Sequence, residues 1–138
     1  MKNIIFIDTS GFYALLVKED KMHQKAKDIL HRAARDKQQF FTTDYVLDET
    51  ATLLRARGLS HHVSRVFDTV FASKVCTVAW MDHDRFSKTR TFFLKHSDQP
   101  WSFTDCASFI VMKEMKLSLA LTTDAHFHEA GFVRLLVD

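Results

Sequence analysis

Four carboxylates stand where a fold could bring them together. Asp8 directly follows the apolar run Ile4–Ile7, and Asp124 follows LALTT. Glu49 lies in the middle of DYVLDETATLLR, and Asp105 lies near the start of SFTDCASFIVM. Two unit charges about 4 Å apart repel by about 4 kcal/mol at an effective dielectric of 20. Several such pairs would threaten a domain whose whole stability is about 5–15 kcal/mol. A divalent cation removes the conflict, and oxygen-only donors select Mg²⁺ or Mn²⁺ over Zn²⁺. A hard cation with open positions activates water and neutralises charge on a phosphodiester. Hydrolysis of a nucleic-acid backbone is therefore the chemistry such a quartet serves best.

Taken singly, each acid also has a plain structural explanation. Asp8 can cap a helix or end a strand, Asp105 can complement a helix dipole in a first turn, and Asp124 can sit in a turn. Glu49 is the hardest to dismiss. It shares the helical stripe of Val46 and Leu53, and its neighbours Tyr45, Val46, Thr52 and Leu53 include no base. Burial without a counter-charge is costly there. Asp48 adjoins it but points about 100° away on a helix, so the stripe selects Glu49. Asp20 and Asp44 read as helix-start residues.

The elements that must position these acids alternate between strand and helix. Ile4–Ile7 reads as a buried strand. Thr9 or Ser10 can cap a helix through Leu16, and a second helix runs from Lys21 to Arg35. Phe40–Thr42 reads as a strand. Thr43 or Asp44 then caps a helix to about Arg57, which Gly58 stops. Ser60 caps the next, with Val63, Val66, Phe67, Val70 and Phe71 as its stripe. Val75–Trp80 is a strand, and Asp82 or Asp84 opens a helix to about Lys95. A polar loop from His96 to Ser102 precedes a helix that begins at Thr104 and ends near Met115. Leu119–Thr122 is a strand, His126–Ala130 a short helix and Phe132–Val137 the last strand. About five strands alternating with helices imply a mostly parallel sheet covered on both faces. In such sheets ligands bind at the carboxyl ends of the strands, where Asp8 and Asp124 fall.

Composition narrows the function class. The chain has 138 residues, 46% hydrophobic and 26% charged, which fits one globular domain over 1–138. Thirteen Phe point to an aromatic core. No apolar run is long enough to span a bilayer, and Asp8 breaks the first one, so neither a membrane segment nor a signal peptide is expected. Cys76 and Cys106 read as free thiols of a reducing cytoplasm. A net charge of +2 permits a nucleic-acid partner only if bases cluster, as Arg55, Arg57 and Arg65, or Lys88, Arg90 and Lys95, can. None of the eight His forms the i, i+4 pair of a zinc helix. His126 and His128, close after Asp124, are candidates for supporting the acids or a phosphate. His23 reads as a locally bonded residue, and Trp101 as a packing residue or a base-stacking one. A phosphoacceptor domain lacks its strand-end Lys, and a haloacid-dehalogenase-like phosphatase would need an Asp where Ser10 stands.

Four blocks in order, IDTSGFYALL, DYVLDETATLLR, WSFTDCASFIVM and TTDAHFHEAGF, with DKMHQKA between the first two, resemble the PIN-domain nucleases. The likeness is to the VapC-type toxins in particular, and it spans residues 4 to 132. It implies a three-layer α/β/α fold around a parallel sheet. It also implies a metal site of Asp8, Glu49, Asp105 and Asp124, holding Mg²⁺ with Mn²⁺ able to substitute. The implied activity is endoribonucleolytic cleavage of RNA. Thr9, Ser10 or Thr104 would assist by bonding a carboxylate or a water, with Thr104 favoured because it directly precedes an acid. A homodimer and a small inhibitory antitoxin are further implications. The remaining alternatives are a PIN-fold RNA-processing nuclease without a toxin role and a non-catalytic RNA- or protein-binding module. On this reading Asp8→Asn and Asp105→Asn abolish RNA cleavage and stay folded, to be checked by a cleavage assay beside circular dichroism.

Overall fold

The computed structural model describes residues 4–138. Its sheet has five strands, all parallel, in the order β3-β2-β1-β4-β5: β1 (Ile4–Ile7), β2 (Gln39–Thr43), β3 (Cys76–Ala79), β4 (Leu119–Leu121) and β5 (Val133–Arg134). Between β1 and β2 lie α1 (Thr9–Leu16) and α2 (His23–Arg35). Between β2 and β3 lie α3 (Asp44–Ala56), a 3₁₀ turn (Ser60–His62) and α4 (Val63–Ala72). Helices α5 (His83–Lys95) and α6 (Phe103–Glu114) join β3 to β4, and α7 (Ala125–Glu129) joins β4 to β5. The expected α/β/α architecture is what the chain adopts.

The direction of the crossovers sets the layers. From β1 the chain steps outward to β2 and then β3. It then returns past β1 to β4 and β5. With right-handed connections, α1 to α4 cover one face and α5 to α7 the other. Side-chain packing agrees. Ile7 and Phe12 meet Leu30 and Val66 on the first face. Phe6 meets Phe127 on the second, where Phe109 stands edge-on to Phe127 at 5.0 Å and to Trp101 at 5.2 Å. Eight of the chain's aromatic rings thus serve one side: Phe6, Phe92, Trp101, Phe109, Phe127 and Phe132, with Phe103 beside Phe86. No helix among the described residues is long and apolar enough to cross a membrane. The expectation about a signal peptide falls partly on residues 1–3, which lie outside the described ones.

Several local expectations change. Neither Thr9 nor Ser10 caps α1: Asp8 holds the N-cap position and makes no side-chain cap bond. Helix α2 starts at His23, after Asp20 has closed a turn by accepting from the Met22 N–H at 3.0 Å. Thr43, not Asp44, caps α3 by accepting from Val46 N–H at 3.0 Å. Asp44 instead accepts from Met81 N–H at 2.9 Å, tying the exit of β3 to α3. Ser60 opens the 3₁₀ turn, and α4 begins only after His62. Ser102, one residue earlier than expected, caps α6, which starts at Phe103 rather than Thr104. Strand β5 is two residues long rather than six, because only Leu119 and Ala120 offer it pairing partners.

One glycine sets how tightly α1 meets the sheet. A Cβ on Gly11 would lie 2.2 Å from the Leu121 carbonyl oxygen and 3.2 Å from an Ile7 methyl. The same carbonyl accepts from Asp8 N–H at 3.3 Å. The start of α1 is thereby pressed against the end of β4, and backbone cannot yield as a flexible side chain can. Gly11→Ala should cost about 3 kcal/mol or more, at the upper end for overpacking, measured by urea unfolding.

Candidate metal and nuclease site

The strand order reverses between β1 and β4, and the crevice above their carboxyl ends is where a sheet of this kind binds ligands. Asp8 leaves β1 at that crevice, and Asp124 follows β4 after two threonines. Asp8, Glu49 and Asp124 line one cleft of about 400 Å³. Asp105 adjoins it, since its charge, with that of Glu49, acts on Asp8. Asp48 is exposed while Glu49 is half-buried, as the helical stripe implied.

Each acid is held by a different device. The Asp8 carboxylate is 5% exposed and accepts from the Thr122 hydroxyl at 2.9 Å. Thr122 is itself fixed, through Ser10 at 3.0 Å and the Asp124 N–H at 3.0 Å. Glu49 accepts from the Thr9 hydroxyl at 2.6 Å. Asp105 forms a capping box with Ser102, accepting from its N–H at 3.1 Å. Asp124 caps α7, accepting from His126 N–H at 2.9 Å. The structural explanations weighed above therefore hold in part: Asp105 and Asp124 cap helices with their side chains, while Asp8 sits at the strand end and N-cap position of α1 but turns its side chain to Thr122 instead.

The hydroxyl support comes from Thr9, Thr122 and Ser10. Thr104 is half-buried, and its side chain makes no hydrogen bond among the described residues. Thr122 was not anticipated; its only sequence signal is a hydroxyl at the last pleat of a strand that ends in an acid. His126 matters more than its neighbours suggested. Its Nδ1 lies 2.8 Å from Asp105 and 3.4 Å from Asp124, so one nitrogen sits between two carboxylates. The hydrogen bond to Asp105 raises the imidazole's pKa above its ordinary value, with the charge of Asp124 adding. His128 is exposed, and His23 bonds the Ala14 carbonyl at 2.7 Å to join α1 and α2. Trp101 is half-buried, lies parallel to Phe92 and donates to Glu129.

Burial dominates the electrostatics of Asp8. It pushes the carboxyl from 3.8 up to about 7, against hydrogen bonds from Thr122 and the Thr9 backbone and with help from the charges of Asp105 and Glu49. Among the described residues no Lys or Arg forms an ion pair with any of the four acids. The ligand atoms of Asp105, Asp124 and His126 lie within 4.8 Å of one another. Carboxylate oxygens with no Lys or Arg beside them, and at Asp8 and Glu49 no basic partner of any kind among the described residues, are donors a hard divalent cation fits. The two thiols take no part: Cys76 and Cys106 are free, and burial pushes each up to about 11.

The PIN domain family model matches residues 5–133. The 23S rRNA-specific endonuclease VapC20 of Mycobacterium tuberculosis is 31% identical over 132 residues, 96% of this chain and 98% of that one. Its crystal structure, described as that of a sarcin–ricin loop cleaving toxin, matches with a TM-score of 0.80 over 94% of this chain and 96% of that one, at 32% identity. A VapC ribonuclease of Archaeoglobus fulgidus is 28% identical, over 88% of this chain and 77% of its own length.

The sign of the Asp8 effect gives a pH test. Its folded pKa lies above its unfolded one, so its contribution to stability is fully present below pH 3.8 and is lost as pH rises through about 7. In chelator, Asp8→Asn should match wild type near pH 4. By pH 8 it should be more stable by several degrees in Tm, up to on the order of 4 kcal/mol. Asp105→Asn should show no such gain, because it gives up the contact with His126. Paired thermal melts across pH check both, and an Asp8→Asn advantage that is flat with pH contradicts the assignment.

Proposed function

We propose that this chain, which belongs to the PIN domain family, is a metal-dependent endoribonuclease and the toxin of a toxin–antitoxin pair. The observation that carries the reading is a cleft lined by Asp8, Glu49 and Asp124, with Asp105 adjoining and no Lys or Arg paired to any of the four among the described residues. These four residues would hold Mg²⁺, or Mn²⁺ in its place. A cation held there supplies charge stabilisation on a phosphodiester and a more acidic water. The chain's own part is to hold the acids in position. Thr122 orients Asp8, Thr9 orients Glu49, and Ser102 orients Asp105. Thr104, whose hydroxyl is unengaged beside Asp105, is available to bond substrate or water.

Identity of 31% along almost the whole of VapC20 supports a substrate of the same class, the large-subunit ribosomal RNA. A small antitoxin partner and a homodimer rest on the family resemblance, and cytoplasmic residence on the substrate.

If the reading is right, Mg²⁺ or Mn²⁺ stabilises the wild type by mass action, by about 2.7 kcal/mol at a hundred times Kd, and its Tm rises accordingly. Glu49→Gln and Asp124→Asn lose this response and slow RNA cleavage by about a hundredfold or more, the scale expected when a stabilising group for the developing charge is lost. Mapping 5′ ends on intact ribosomes should place a 5′-phosphate at one site in the large-subunit RNA. Cleavage that persists in chelator would sink the metal-dependent reading.

A further inference from the structure

The cleft that gathers the acids also contains one base. Among the described residues that line it, Arg57 is the sole cation, facing Asp8, Asp20, Glu49 and Asp124. Yet it pairs with none of them: no ion pair joins Arg57 to a carboxylate among the described residues. Its guanidinium instead lies over the ring of Tyr13, 4.9 Å from the centroid. A guanidinium near several carboxylates would ordinarily fold onto one of them. This one is exposed, and its fork of donors makes no ion pair among the described residues.

The backbone explains how it is kept there. Arg57 is the C-cap of α3. The chain then turns at Gly58, at φ +72, where the Leu59 N–H reaches the Leu54 carbonyl at 2.8 Å and the Gly58 N–H reaches that of Arg55 at 3.1 Å. That pair of bonds is a Schellman ending, which fixes the last helical residue. Glu49, Leu53 and Arg57 follow one another at i, i+4 and i+8 along the cleft wall. Eight residues of helix place the Cα atoms of Glu49 and Arg57 about 12 Å apart along the axis. Tyr13, on α1, holds the guanidinium from the opposite wall by its ring face, and its hydroxyl makes no hydrogen bond among the described residues.

We infer that Arg57, held over Tyr13, is a substrate-binding residue that grips a phosphate flanking the scissile one. The argument rests on the ribonuclease reading above. A polyanion entering a cleft lined by carboxylates is repelled unless cation charge meets it. The metal answers for the scissile phosphate, and Arg57 for its neighbour. A planar guanidinium takes two phosphate oxygens at once, which an ammonium cannot.

The test uses full-length chain and a fluorescein-labelled single-stranded RNA oligonucleotide. Binding is read by anisotropy in the cleavage-dead Asp8→Asn background, from 50 to 200 mM KCl. Cleavage is read separately with Mg²⁺ in the otherwise native chain. Arg57→Ala should weaken binding by about tenfold, the weight of one charged hydrogen-bonding contact. It should flatten the slope of log affinity against log salt by about 0.7, the value for one phosphate contact on a single strand. KM should rise with kcat little changed. Arg57→Lys should keep the salt slope and lose part of the affinity. Tyr13→Leu should weaken binding, and Tyr13→Phe should not. Arg55→Ala, an exposed base on the same helix but outside the cleft, should lose less. An Arg57→Ala protein with unchanged slope, or one whose loss equals that of Arg55→Ala, overturns the assignment of Arg57 while normal cleavage leaves the nuclease reading standing. A wild-type chain that neither binds nor cuts RNA overturns both.

Discussion

A carboxylate removed from water with no cation beside it is the condition around which this molecule is organised. Asp8 is nearly inaccessible, and two further carboxylates add their charge to it. Burial disfavours the ionised form of such a group, and neighbouring anions add to the penalty. The protein supplies only neutral donors, the Thr122 hydroxyl and the Thr9 backbone, which orient the oxygens without neutralising them. An Arg in place of Thr122 would relieve the strain and remove the reason for binding a cation. A bound divalent ion would balance that deficit of positive charge.

His126 shows how the deficit is managed. Its Nδ1 stands between Asp105 and Asp124, and the contact with Asp105 favours the protonated ring. An imidazolium there does part of what a metal would do, at the half of the site where the acids also serve as helix caps. The other half, around Asp8 and Glu49, has no such stand-in. The two halves therefore differ: Asp105 and Asp124 share an imidazole whose protonated form is favoured, and Asp8 and Glu49 share no base among the described residues.

Convergence itself comes from topology and close packing. The sheet order turns back between β1 and β4, which opens a crevice where two helices leave in different directions. Gly11 lets α1 lie against the Leu121 carbonyl, and the Asp8 N–H bonds that same carbonyl. Helix α3, entering from β2, carries Glu49 to the wall and ends at Arg57 above Tyr13. Lys88, by contrast, is engaged by Asp84 one turn away.

Much of this was legible in the order of residues. The alternation of β-branched runs with amphipathic stripes determined an α/β sheet, because each period matches only one kind of backbone. Acids directly after Ile7 and Thr123 were bound to emerge at strand ends, and the stripe of Val46 and Leu53 separated Glu49 from Asp48 without coordinates. Local capping was less legible: Thr9, Ser10 and Asp8 are all competent caps, and the choice depended on Thr122, 114 residues from Asp8, claiming the Asp8 side chain. The same holds for His126 between Asp105 and Asp124, for the shortness of β5, and for Arg57 over Tyr13. Sequence by itself determines what a residue can donate, accept or bury along its own element. Which partner it meets is decided only when elements pack, since a contact between distant positions is a property of the crossover directions and of side-chain volumes that no local pattern contains.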